Sequence, residues 1–339
     1  MIALPDQPTE MPPSGATASD LLSDVLRRVR LSGAIFLRGE YAAPWAFDSP
    51  APADLVRMLA PDAERLVLFH IVRHGSAWVE ACGRRVKAQA GDLVVLPHAD
   101  RHQMGHPDGV EPVPIATLLP PPPWQSVPVC RFNGGGEPTG VVCGYLRCDE
   151  LLFNTLLRCL PPLFRVRPAE GPGRDWVGAC IDFALDESAG ARGGSSALMA
   201  RLPELLLVEA LRLHAEQGPT GDGWLAAIQD PVVGRALALL HADVTHGWTL
   251  EELAERAASS RSVLDERFRR LLGQPPMRYL TLWRMQLASE WLRSTPLKLA
   301  DIAERAGYGS EEAFSRAFRR HVGITPAQWR SCRGRSLVE

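Results

Sequence analysis

The sequence has little net charge, few aromatic residues and no long apolar run. Its 37 Lys and Arg against 39 Asp and Glu give a formal net charge of −2, and Phe, Trp and Tyr make up 7% of the 339 residues. The most apolar helical stretch, residues 202–213, is interrupted by Pro203, Glu204, Glu209 and Arg212, which excludes a membrane-spanning helix. The N-terminus lacks a basic segment followed by an apolar run, so we expect no signal peptide.

Cysteine is scarce and shows no pattern. The seven cysteines are odd in number and include no C-x-x-C pair, which argues against a disulfide framework. Reduced thiols are typical of the cytoplasm, and we therefore expect a cytoplasmic protein.

The composition divides the chain into five segments. Residues 1–19 are dominated by Pro, Ser, Thr and Gly and predict a disordered tail. Residues 20–149 carry short β-type runs, residues 150–217 have helical periodicity and are a candidate dimerisation element, 218–229 are a Gly-rich linker, and 230–335 are helical again. We predict an α+β chain: a β-barrel or double-sheet roll with a helical extension, then an all-α domain.

The runs that support this reading are short and separated by turn residues. The predicted strands are Ala34–Leu37, Leu66–Val72, Ala77–Glu80, Leu93–Leu96, Ile115–Leu118 and Val141–Leu146. The predicted helices outside the repeat described next are 20–30, 151–160, 176–187, 196–216 and 231–241.

The last ninety residues contain an internal repeat. Leu250–Ala257 is echoed by Leu299–Ala306 at an offset of 49, and the offset becomes 50 from Leu264 and Phe314 onward, so one residue has been added in the second turn, at Gly307-Tyr308-Gly309. Each copy has the pattern of a helix-turn-helix, and two such units in one domain indicate a protein that contacts two neighbouring stretches of DNA major groove.

Helix caps and apolar spacing predict which residues of each unit face outward. Thr249, Ser260 and Ser310 are predicted N-caps, and a helix over Met277–Arg293, roughly 25 Å long, separates the units. That length suits recognition helices about one DNA turn, ~34 Å, apart. The predicted DNA-contacting residues are Arg261, Ser262, Glu266 and Arg269 in the first unit and Glu311, Glu312, Ser315, Arg316 and Arg319 in the second.

The charge distribution supports this interpretation. Residues 224–339 hold 17 Lys and Arg against 13 Asp and Glu, whereas the remainder holds 20 against 26. The excess of positive charge in the C-terminal part has the sign that phosphate binding requires.

Residues 231–330 resemble the AraC/XylS family of bacterial transcription regulators, and the run from Gly323 to Arg330 (GITPAQWR) matches the family's closing signature. The resemblance implies a seven-helix DNA-binding domain with both recognition helices in successive major grooves. We expect promoter DNA and RNA polymerase as partners, and a role as an activator, with repression as the alternative that the sequence leaves open. The sequence departs from the family at Asp265 and Glu266, which occupy the positions of Ser315 and Arg316 in the other copy. Since an arginine can bind guanine through two hydrogen bonds, we predict that the second unit is the principal base reader.

The N-terminal half carries a second resemblance. Gly91–Pro97, followed by His102 and His106, is similar to the second cupin motif, although Ala99 stands where that motif prefers Gly and His106 where it prefers Asn. The first cupin motif, with its paired histidines and glutamate, is missing. The likeness extends over residues 20–216 to the cupin-type sensor halves of the same regulator family.

Four residues are candidates for a metal or ligand site in this half: His70, His102, His106 and Cys143. His70 lies on a predicted strand beside apolar neighbours and points inward, and imidazoles with a thiolate would suit Zn²⁺ or another soft divalent ion. The alternative is an ordinary small-molecule pocket or a hydrogen-bonded core. If the thiol transmits a signal, Cys143→Ser should abolish the response.

These patterns favour a transcription regulator, not an enzyme, that responds to a small molecule, a metal or a redox signal at the cupin-like domain. The alternative is a cupin metalloenzyme with a helical appendage, which the missing first motif argues against. A structural metal site is a third reading. Leu205, Leu206, Leu211 and Leu213 are either core residues or the seam of a homodimer.

Overall fold

The computed structural model describes residues 21–22, 31–63, 65–120, 124, 126–147, 160–189, 195–217 and 223–332. These residues form two compact units whose boundary lies between Gly223 and Trp224, and Leu21 and Leu22 group with the C-terminal unit. Across these ranges, every helix is too short or too polar to span a bilayer. The tail at 1–19, most of the helical runs at 20–30 and 151–160, and linker residues 218–222 lie outside the described residues.

The first unit is built from two sheets. Its strands are β1 Ser32–Ala42, β2 Trp45–Asp48, β3 Leu66–His74, β4 Ser76–Ala81, β5 Arg84–Gln89, β6 Leu93–Leu96, β7 His102–His106, β8 Val113–Pro114, β9 Val129–Asn133, β10 Pro138–Arg147 and β11 Phe164–Val166. One sheet has the order β11-β6-β3-β10-β1-β9 and the other β5-β4-β7-β2-β8. Of the two architectures expected from the sequence, the double-sheet roll is the one observed.

Strand β3 is central, and its sequence shows why. Its first seven residues are all buried, and Leu68 and Val72 among them pack into the core between the sheets. A strand that is covered on both faces has a continuous apolar run rather than an alternating one. His70 is the polar exception in this run, and it faces inward with Leu68 and Val72.

In the part of this unit that the structure describes, three helices accompany the sheets: α1 Pro52–Leu59, α2 Pro172–Ala189 and α3 Ser195–Glu216. Leu206, Leu211 and Leu213 of α3 are buried within the unit, so these three leucines serve the core, whereas Leu205 is 51% exposed. The predicted strand at Ile115–Leu118 is wrong, because residues Ile115–Thr117 form a single 3-10 turn.

The second unit is helical. After the short α4 (Trp224–Gln229), its described part contains seven helices: α5 Val233–Ala242, α6 Leu250–Arg256, α7 Arg261–Leu272, α8 Pro276–Ser294, α9 Leu299–Arg305, α10 Glu311–Val322 and α11 Pro326–Cys332. Helices α6 and α7 form the first helix-turn-helix unit, α9 and α10 the second, and α8 joins them.

The predicted caps are present. The Thr249 hydroxyl accepts from the Glu252 N–H, the Ser260 hydroxyl from Val263, and the Ser310 hydroxyl from Ala313. Both recognition helices end at a glycine in the left-handed region, Gly273 (φ 66°) and Gly323 (φ 90°), where a side chain would be strained. The two units therefore start and stop their recognition helices by the same local chemistry.

The turns identify the additional residue of the second unit. The N–H of Ser259 donates to the carbonyl of Ala254, and the N–H of Tyr308 donates to the carbonyl of Ala303, each at 2.9 Å. Tyr308 is therefore the structural counterpart of Ser259, and Gly309 is the residue that the first unit lacks.

Candidate functional site

Three of the four residues predicted for the N-terminal site meet in the core between the two sheets. Cys143 Sγ lies 2.9 Å from His70 Nδ1, and His70 Nε2 lies 2.9 Å from His102 Nε2. His102 Nδ1 is in turn 3.0 Å from the backbone oxygen of Asp100. Register explains the meeting, because Cys143 on β10 is the direct cross-strand partner of His70 on β3. These atoms form a chain that we call the Cys143–His102 chain.

The Asp100 carbonyl determines the direction of every hydrogen bond in the chain. A carbonyl only accepts, so His102 Nδ1 carries the proton and, in the neutral ring, its Nε2 is an acceptor. His70 Nε2 must then donate to His102, which leaves His70 Nδ1 to accept from the Cys143 S–H. Each ring nitrogen and the thiol thus has one partner, and the chain is complete with both imidazoles neutral.

Burial keeps these groups uncharged. Burial lowers the pKa of His70 well below its ordinary value, and the neighbouring His102 lowers it further. Burial also lowers the pKa of His102 and raises the pKa of the Cys143 thiol far above its ordinary range. At neutral pH the thiol is therefore protonated, and the site lacks the thiolate that a reactive cysteine needs.

The arrangement does not fit a zinc ion. In the ranges that the structure describes, no group of three or more His, Cys, Asp or Glu side chains could hold a metal. Cys143 and His102 contact opposite nitrogens of the His70 ring, so their lone pairs point at that ring and not at a common centre. Zinc needs donors that converge at about 2.0–2.3 Å.

His106 lies apart from the other three residues. It pairs across strands with Trp45 on β2; its Nδ1 is 3.4 Å from the Ser76 hydroxyl and its Nε2 is 3.8 Å from a carboxylate oxygen of Glu137. It is partly exposed and does not line the cavity described next. The fourth predicted residue therefore contributes nothing to this cluster in the structure.

A cavity of about 40 Å³ borders the Cys143–His102 chain. Its wall is apolar apart from the members of the chain, the Tyr41 side chain and Ser49, whose hydroxyl already donates to Pro50 and accepts from the His102 N–H. The lining consists of Phe36, Leu37, Tyr41, Phe47, Ser49, Pro50, Leu55, Met58, Leu68, His70, His102, Met104, Ile115, Leu119 and Cys143. The sequence pattern missed Tyr41 and Ser49, because neither stands in a recognisable motif.

The first recognition helix, α7, presents the predicted residues on its exposed face. Arg261, Ser262, Glu266 and Arg269 are all exposed. However, Arg261 is ion-paired with Glu251, and Arg269 Nε lies 2.7 Å from Asp265. Arg261 and Arg269 therefore each have a carboxylate partner within the protein.

The second recognition helix, α10, differs in this respect. Glu311, Glu312, Arg316 and Arg319 are exposed and Ser315 is partly buried, while Phe314 and Phe318 are fully buried beneath them. Backbone hydrogen bonding at the helix start lowers the pKa of Glu312. Across the described residues, no carboxylate forms an ion pair with Arg316 or Arg319.

One contact behind α7 was missed by sequence reasoning. The carboxylate of Asp230 accepts from the N–H groups of Val232 and Val233 and from Arg267 Nη1 at 3.1 Å. It thus caps the start of α5 and fixes α7 against it. The D-P dipeptide at 230–231 was the available signal, since Asp before Pro is typical of a turn that begins a helix.

Comparison with known proteins agrees with this architecture. The chain matches the family model described as Cupin over residues 20–216 and the model described as Helix-turn-helix domain over residues 253–331. It is 36% identical over 273 residues to a putative AraC-like transcription regulator of Streptomyces lividans, an alignment that covers 79% of this chain and 88% of the relative.

One more relative and one solved structure are similar to this chain. The chain is 27% identical to the RCS-specific HTH-type transcriptional activator RclR of Escherichia coli K12, covering 78% of this chain and 84% of that protein. Among solved structures, the DNA-binding domain of AdpA in complex with a target DNA is 31% identical and covers 32% of this chain and 98% of that one, with a TM-score of 0.30. The chain therefore belongs to the AraC family of DNA-binding transcription regulators and carries a cupin-like N-terminal domain.

Proposed function

We propose that this regulator responds to a small, predominantly apolar molecule that enters the cavity of the cupin-like domain and takes the place of one partner in the Cys143–His102 chain. The observation that carries the proposal is a fully paired, neutral polar chain in the wall of an otherwise apolar cavity. An apolar pocket with a few placed polar groups is the usual form of a small-molecule site.

The size of the cavity adds a condition. A volume of about 40 Å³ is far below the ~150 Å³ of an engineered cavity that holds benzene. An effector as large as benzene must therefore displace side chains that line the cavity. Phe36, Met58 and Leu119 are the candidates for displacement, because they are only partly buried. Ligand entry would therefore rearrange the core between the sheets, which is how binding energy could favour one conformation of the domain over another.

A redox or metal signal makes a different demand on Cys143, since both require the thiolate. The structure gives the sulfur the role of a hydrogen-bond donor to His70. On this basis we expect Cys143→Ser, which keeps a donor, to retain the response, in contrast to the expectation from sequence. Cys143→Ala, which leaves His70 Nδ1 unpaired, should weaken it.

The experiment begins with native mass spectrometry and elemental analysis of the full-length protein, to identify a molecule that co-purifies. Operator binding of wild type, Cys143→Ser and Cys143→Ala is then measured by anisotropy with and without that molecule. A response kept by serine and weakened by alanine supports the proposal. Stoichiometric metal, or a response lost equally in both variants, contradicts it.

The remaining assignments extend the family's activity to this chain. We propose that residues 230–335 bind promoter DNA in the cytoplasm and contact RNA polymerase, that residues 20–149 sense the effector, and that the protein activates transcription without catalysing a reaction. A homodimer through residues 150–217 is a further proposal, which the exposed Leu205 on α3 supports. Sedimentation of the full-length protein tests it.

For DNA recognition, we propose that Arg316 and Arg319 of α10 carry most of the base reading. The support is electrostatic: among the residues that the structure describes, no carboxylate forms an ion pair with either guanidinium group, whereas Arg261 and Arg269 of α7 have one carboxylate partner each. An arginine that is already paired must give up that interaction before it can bind a base or a phosphate.

A further inference from the structure

Arg284 lies near the middle of α8, the helix that joins the two helix-turn-helix units. Its Nε donates to the carbonyl of Val244 and its Nη2 donates to the carbonyl of His246, each at 2.9 Å. Both carbonyls belong to the segment that leads into α6 of the first unit. The side chain is partly buried, so these bonds are shielded from water and hold the first unit to α8.

The same guanidinium contacts the second unit. Its central carbon lies 5.9 Å from the centre of the Tyr308 ring, within the range of a cation–π interaction. Gly307, beside it, adopts φ 74°, and a Cβ added there would come within 2.8 Å of Arg284 Nη2. The turn between α9 and α10 therefore forms a seat for the guanidinium that consists of one aromatic face and one glycine.

This seat exists in only one of the two copies. The residue equivalent to Tyr308 in the first turn is Ser259, which offers no aromatic face, and the first turn has no counterpart of Gly309. The difference in length that the sequence shows between the two turns thus coincides with the contact that ties the second unit to α8.

We infer that Arg284 is a positioning residue that fixes the distance and orientation between the two recognition helices. Each helix-turn-helix unit binds one short DNA sequence, here called a box, and Arg284 thereby sets the spacing between the two boxes that the protein prefers. Two units that are held rigidly bind two boxes with little further loss of freedom, so the second contact follows the first at high effective concentration. A looser connection lowers that advantage and lets the protein accept boxes at other separations.

The test uses the full-length protein and a duplex selected from a random library by the wild type. Companion duplexes carry one scrambled box, or the two boxes separated by a single additional base pair. For Arg284→Met we expect affinity for the selected duplex to fall about tenfold, in the usual range of a coupling between sites, while affinity for the one-box duplexes changes less than about twofold. The preference for the selected spacing should disappear.

Matched variants separate positioning from charge and from folding. Arg278→Met removes the same charge from an exposed position of α8 and should keep the spacing preference. Tyr308→Phe keeps the ring and should behave as wild type, whereas Tyr308→Ala should reproduce Arg284→Met. If Arg284→Met is unfolded by circular dichroism, Tyr308→Ala carries the test.

Three results would overturn the inference. The first is an unchanged spacing preference in both Arg284→Met and Tyr308→Ala. The second is a loss of affinity that is equal for one-box and two-box duplexes, which would mean that the contacts of Arg284 only maintain the fold of each unit. The third is loss of folding in both variants, because the contact would then belong to the core.

Discussion

Arg316→Ala is the sharpest test of how the two recognition helices share the work. Arg316 is exposed on α10 and forms no ion pair in the described part of the chain, although Glu312, four residues earlier, interacts with it electrostatically. Because Glu312 is itself exposed, removal of Arg316 leaves no buried group unpaired. Phe314 and Phe318 remain buried beneath it and should keep the helix in place. Any change in binding would therefore report on contacts to DNA.

The expected magnitude is that of one bidentate arginine–guanine pair, about 1–3 kcal/mol. At about 1.4 kcal/mol per tenfold, this is a loss of roughly 5- to 150-fold in affinity for the preferred site. Arg269→Ala is the matched control. Because Arg269 already pairs with Asp265 at 2.7 Å, its removal should cost less than the removal of Arg316.

Fluorescence anisotropy with the selected duplex and its single-base variants measures the effect. For Arg316→Ala we expect the preference at one base pair to relax while the other positions keep theirs. If affinity falls equally for all sequences and the salt dependence drops by about one phosphate contact, Arg316 binds the backbone and the assignment is refuted. An effect of Arg269→Ala larger than that of Arg316→Ala would refute the proposed division between the units.

Further predictions concern the cupin-like domain and the recognition-helix core. Asp92→Asn should lower the free energy of unfolding of this domain by about 2–3 kcal/mol, measured by urea unfolding. This is less than the ~3–5 kcal/mol expected for a fully buried ion pair, because the partners Arg165 and Arg167 are about 40% exposed. An effect below about 1 kcal/mol would contradict this prediction. Burial lowers the pKa values of the two histidines in the Cys143–His102 chain, so below pH ~6.5 the unfolded state binds more protons than the folded state. The free energy of unfolding should therefore fall as the pH drops below that value. A free energy of unfolding that stays constant between about pH 7.5 and 5 would contradict this prediction. Phe314→Ala should cost about 3–5 kcal/mol by calorimetry and abolish DNA binding, whereas a small effect would show that the core collapses around the gap.

The sequence predicted the DNA-binding half better than the sensor half, and the reason is local chemistry. Caps such as Ser260 and Ser310 and the left-handed Gly273 and Gly323 act on their own helix, so their spacing is visible in the chain. Strands depend on partners far away. The charged strand β5 and the short β7 form because β4 lies between them, and no run of apolar residues announces either.

The candidate site shows the same limit. The sequence selected His70, His102 and Cys143, and register across β3 and β10 explains why the structure brings them together. It also selected His106, because this residue follows the second cupin motif together with His102, but in the structure His106 lies near Ser76 and does not line the cavity. The direction of the hydrogen bonds depends on one backbone carbonyl, that of Asp100, which no pattern of side chains reveals.

The unequal turns of the repeat have a practical meaning for the redesign of operator preference. The two helix-turn-helix units are similar in fold, but the turn of the second unit, at Tyr308 and Gly309, differs from the first turn and contacts Arg284 of α8. A chimera that copies the first module into the place of the second would bring Ser259 where an aromatic ring is required. Grafts confined to the outward positions of α10 leave that joint intact, and they are the substitutions most compatible with a new operator on an unchanged scaffold.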